Sequence, residues 1–155
     1  MEFYAINKQR MQGVVQYLSN EMSFNTFGSA ESFYTITLGG SYLGLEIASD
    51  CETVCAISGL SSQCLWKFSS ISPPTSMDGT LKLLTSDDLV IGCGYKYSEN
   101  WNVSYDKNSK IALIAKTTYS DFTTNSFQYV RFLENAICVL AGSNLVAIYV
   151  ENLIV

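Results

Sequence analysis

Chemistry in this sequence would have to be built from five cysteines and fourteen carboxylates, because it contains no histidine. That absence removes the commonest general base, the His-centred nucleophilic triads and the usual zinc and iron ligand sets. A thiolate nucleophile at Cys51, Cys55, Cys64, Cys93 or Cys138 would need lysine or a carboxylate as its base. The spacing Cys51-x3-Cys55-x8-Cys64 matches no zinc pattern, so the cysteines read as small buried apolar residues. Cys93 lies between Gly92 and Gly94, where glycine could admit a ligand or let another backbone approach closely. Ile91-Gly92-Cys93-Gly94 offers a GxG, but the third glycine and the following helix of a dinucleotide site are missing. Asp50-Cys51-Glu52 and Asp87-Asp88 bring carboxylates together, as glycosidases and calcium sites require. Neighbours on a strand nevertheless point to opposite faces, and Asp87-Asp88 falls in turn chemistry. The expectation is a protein without catalytic residues, metal or cofactor.

The aromatics offer binding chemistry instead. Ten tyrosines, eight phenylalanines and two tryptophans exceed what a core of this size requires. Tyr95, Tyr97, Trp101 and Tyr105 alternate with polar residues and would share one strand face, either as core or as an exposed stripe. If exposed, they form a protein-binding surface, with Asp87, Asp88, Glu99 and Asp106 adding complementarity to a basic partner. The candidate partner-binding residues are therefore Asp87, Asp88, Tyr97, Glu99, Trp101 and Asp106.

The elements that must position these residues are mostly strands. FYTITLG (33–39) and YLGLEIA (42–48) alternate about a Gly39-Gly40-Ser41 turn and read as a hairpin. Shorter candidates follow at Thr53–Leu60 and Cys64–Phe68, then a surface loop at 69–79 that holds both prolines. TLKLLT (80–85) precedes LVIGC (89–93), whose two-sided apolarity predicts a central strand. Residues 101–117 should form a hairpin about Asp106–Ser109, and 127–133, 135–141 and 145–155 close the chain as strands. Phe127, Val130, Leu133 and Ile137 also fit a helical spacing. Near the N-terminus, Met11, Val14, Val15, Leu18 and Met22 fall on one face of a helix that Asn7 could cap, with Gly13 as its weak point. The fold class is thus mainly β (α+β): an antiparallel sandwich or barrel-like sheet carrying one N-terminal amphipathic helix.

At 155 residues the chain suits a single domain, 1–155, with a core large enough to need no staple. Hydrophobic residues make up 48 % and charged residues 15 %, which excludes disorder and a long solvated helix. The net charge is −5 and the cations are dispersed, so a nucleic-acid face is not expected. No run of transmembrane length and no basic n-region with an apolar h-region is present, and the cysteine count is odd; membrane insertion is not expected and a reducing cytoplasm is. A high apolar content is compatible with a homo-oligomer.

In size, acidity, cytosolic cysteine usage and strand-dense pattern the whole chain resembles bacterial toxin-neutralising immunity proteins of the contact-dependent inhibition or polymorphic toxin type. The resemblance implies a cytoplasmic protein that binds and neutralises a cognate basic toxin domain, often a nuclease, by blocking its substrate face. The alternatives are a β-barrel carrier of a small apolar ligand, for which a cavity of several hundred Å3 is expected, and a structural or self-assembling subunit.

Overall fold

The computed structural model describes residues 1–39, 42–86, 88–98, 100–119 and 126–155. In chain order the strands are β1 (Glu2–Ile6), β2 (Val14–Leu18), β3 (Ser23–Phe27), β4 (Ser32–Leu38), β5 (Tyr42–Ala48) and β6 (Val54–Leu60). After a short 3-10 turn (Gln63–Leu65) come β7 (Lys67–Phe68), β8 (Met77–Asp78), β9 (Thr80–Leu84), β10 (Gly94–Tyr97), β11 (Trp101–Asp106) and β12 (Ile111–Lys116). The last three are β13 (Gln128–Leu133), β14 (Ala136–Ala141) and β15 (Asn144–Val150). They form a six-stranded sheet ordered β10-β4-β5-β6-β3-β2, a seven-stranded sheet ordered β7-β11-β12-β15-β14-β13-β8, and a two-stranded ribbon of β1 and β9. Neither large sheet closes into a barrel. Both are mixed: β10 runs parallel to β4, β7 to β11 and β8 to β13, and the other pairs are antiparallel.

Alternation in the sequence explains the pairing of the faces. Tyr34, Ile36 and Leu38 of β4 and Leu43, Leu45 and Ile47 of β5 are buried, as the 33–48 hairpin requires. They pack against Val103, Tyr105, Ala112, Ile114, Cys138, Leu140 and Ile148 of the seven-stranded sheet in one apolar cluster. Phe3, Leu81 and Leu83 of the ribbon join the same cluster. The ribbon is tied to both sheets, by Phe3 N–H donating to Ser143 O at 2.8 Å and Leu83 N–H donating to Glu52 O at 2.7 Å. Strands β12, β14 and β15 are apolar on both faces, and their outer side forms a second cluster in which Ile71, Tyr119 and Phe127 pack over Ile137, Val139, Ala147 and Tyr149. This two-sided burial is why NAICVLA and LVAIYV read as continuous apolar runs.

The expected N-terminal helix is absent. Val14–Leu18 is strand β2, with Val15 and Tyr17 inward, and it pairs with β3 from Val14↔Phe27 to Leu18↔Ser23. Gly13 explains the error: its φ of +133° lies outside the helical region, and a Cβ there would approach Thr26 Cγ2 to 2.8 Å. Met22, assigned to the helical face, is a turn residue at φ 52° and is exposed. Residues 89–93 are likewise not a central strand. They form a turn in which Cys93 N–H donates to Val90 O, and Val90 and Ile91 are exposed. The Tyr95 hydroxyl fixes this turn by accepting from Val90 N–H at 2.7 Å and donating to Asp88 O at 3.3 Å. Residues 128–133 and 136–141 are strands rather than the helix their spacing also allowed.

Candidate functional site

The aromatic alternation of residues 95–105 spans two sheets. Tyr97 ends β10 in the six-stranded sheet, Trp101 starts β11 in the seven-stranded one, and Ser98 and Asn100 between them have left-handed φ values of 50° and 63°. Both rings face the core, 6.5 Å apart between centroids. The Tyr97 hydroxyl accepts from Leu145 N–H at 3.0 Å, joining the sheets, and the Trp101 indole N–H donates to Ser98 Oγ at 2.9 Å. Tyr105 is also internal and donates its hydroxyl to Leu153 O at 2.8 Å. Lys116 extends its ammonium over Tyr97 and Trp101, 4.6 and 5.8 Å from the ring centroids, and burial pushes its pKa down.

Of the other candidate residues, Asp106 is buried. Its carboxylate accepts from Ile71 N–H at 2.9 Å and Asn108 N–H at 2.8 Å, which pins the 69–71 segment to the β11–β12 turn. Those backbone donors hold its pKa below the usual carboxylate value. Asp88 is exposed beside β10. Asp87 and Glu99 lie outside the described residues. Tyr97, Trp101 and Asp106 therefore serve as core and turn residues, and of the four candidates among the described residues only Asp88 is exposed.

What the strand pattern did not reveal is a cleft of about 740 Å3 at the end where β5 and β6 face β11 and β12. Its recessed wall is made by Leu43, Trp66, Trp101, Val103 and Ile114, all buried core residues. Its rim is made by Met22, Tyr42, Leu60 and Leu65, which are 51, 79, 53 and 80 % exposed. Such a cluster of large exposed apolar side chains is the kind of surface feature that marks an interaction site. The remaining lining residues, Ser61, Ser62, Asn100, Asn102 and Thr117, are polar and uncharged. Trp66 is held edge-on by Tyr17 at 4.7 Å and its indole N–H donates to Ser61 Oγ at 2.8 Å, so this part of the wall is fixed in place. A sequence signal did exist: Tyr42, Leu60 and Leu65 are apolar residues beside the turn segments Gly39-Gly40-Ser41 and Ser61-Ser62-Gln63, where polar residues are usual.

Two other polar arrangements lie outside the cleft, around Asp50 and around the cysteines. Asp50 accepts from Thr53 N–H, Thr53 Oγ1 and Lys82 Nζ at 2.7, 2.5 and 2.9 Å. Burial raises its pKa, but these donors outweigh that and hold the carboxyl well below its usual range. Every group is occupied in fixing the turn before β6. Cys51 shares a 2.9 Å contact with the Tyr34 hydroxyl, and the exposed thiols are Cys51, Cys64 and Cys93. Burial pushes the Cys55 thiol up to about 11 and Cys138 to about 12, which leaves them un-ionised at neutral pH. Among the described residues no group of three or more His, Cys, Asp or Glu could hold a metal ion, and no helix is long and apolar enough to cross a membrane. No protein-family model and no curated protein matches this chain.

Proposed function

We propose that this chain is a non-catalytic binding protein that engages a protein partner through the apolar rim between its sheets, and that the partner is a toxin domain it neutralises. The observation that supports the reading is the ring of Met22, Tyr42, Leu60 and Leu65, each more than half exposed around a recess walled by two tryptophans. Contiguous exposed apolar side chains beside a rigid aromatic wall have the anatomy of an interface core, where a few buried anchors carry most of the binding energy. The toxin-neutralising role is the form that the immunity-protein resemblance gives to this surface.

The chemistry of the contact differs from the Coulombic one expected from composition. The described lining residues are uncharged, so affinity comes from apolar burial, and the net charge of −5 acts at longer range by steering a basic partner. The test is growth rescue: the gene adjacent to this one, which the proposal expects to encode the toxin, is induced with the wild-type chain or with Leu60→Asp and Leu65→Asp together. Rescue by wild type and loss of rescue by a folded double variant is the expected result. Equal rescue by both removes the rim from the interface, and failure of the wild type to rescue removes the toxin-neutralising role.

A further inference from the structure

We draw no further inference here: the strongest candidate, the pocket of about 430 Å3 where Lys107 and Lys110 beside the β11–β12 turn meet Trp66, Phe68 and Tyr105, rests on exposed surface lysines over an open apolar lining, and nothing in the structure shows what covers it.

Discussion

Replacing Asn135 should separate the two large sheets at one edge. Asn135 sits in the turn between β13 and β14 and is 7 % exposed. Its side-chain oxygen accepts from Val15 N–H at 2.8 Å, and its amide donates to Val15 O and to Glu151 O, each at 2.9 Å. It thus stands in for a neighbouring strand along β2, the edge of the six-stranded sheet, while belonging to the seven-stranded one. Glu134 extends the junction: its N–H donates to Gly13 O at 3.1 Å and its carboxylate accepts from Gly13 N–H at 3.2 Å. Asn135→Ala deletes three hydrogen bonds worth about 1 kcal/mol each net and leaves the groups of Val15, itself 1 % exposed, without partners. The expected loss is about 3–4 kcal/mol, a large part of the roughly 5–15 kcal/mol that stabilises a domain. Asn135→Asp should be worse at neutral pH, since it keeps the acceptor but points a carboxylate at two carbonyl oxygens. Part of that excess should return on acidification, when the protonated carboxyl can donate once. Urea unfolding followed by tryptophan emission measures both variants. A loss below 1 kcal/mol for Asn135→Ala, or an Asp variant as stable as wild type at pH 7, would refute this account of how the sheets are joined.

The alkaline limb of stability should be steep. Cys55 and Cys138 ionise near 11 and 12 in the folded chain against about 9 when unfolded, so the unfolded state releases protons first. Stability is then fully present below pH 9 and falls by about 1.4 kcal/mol per pH unit for each thiol above it, which denaturant midpoints at pH 8 and 10 would detect; equal midpoints contradict the prediction. With a disulfide-exchange reagent in native buffer, Cys51, Cys64 and Cys93 should react quickly and Cys55 and Cys138 only on unfolding; five fast thiols would contradict the burial. Gly59→Ala should unfold the cleft side of the six-stranded sheet, because a Cβ there would overlap Tyr42 O and the backbone is at φ +116°; a melting temperature within a degree or two of wild type would exclude this.

Where burial is one-sided, the sequence was readable. The 33–48 hairpin has a period of two with its apolar set on one face, and 101–117 has the same pattern about a strong turn, so both hairpins were legible, whereas whether the aromatic face of 95–105 is core or exposed was not. Segment 11–22 misled because spacings of three and four also collect apolar residues. The competing Val15-Gln16-Tyr17 alternation and a glycine at the preceding position carried the true signal. Segment 89–93 misled for the opposite reason: a continuous apolar run resembles a doubly covered strand, but here Val90 and Ile91 face outward and the run is a turn held by Tyr95. The aromatic stripe was recognised, but not that Tyr97 and Trp101 belong to different sheets, an arrangement that places both rings in the core. The cleft is assembled from β5, β6, β11, β12, the turn before β3 and the segment after β6, and no single stretch of sequence contains it.

The most direct test of the central claim is the affinity of the purified chain for the toxin domain that the proposal expects to be encoded beside it, measured by calorimetry for wild type and for Leu60→Asp with Leu65→Asp. Both positions are more than half exposed, so the double variant should keep its fold and its unfolding midpoint. The account predicts a 1:1 complex for wild type and a loss of at least about 2 kcal/mol, roughly 30-fold in Kd, for the variant. A wild-type chain that binds no such domain, or a folded variant that binds it equally well, would contradict the claim that this rim is the binding surface of a toxin-neutralising protein.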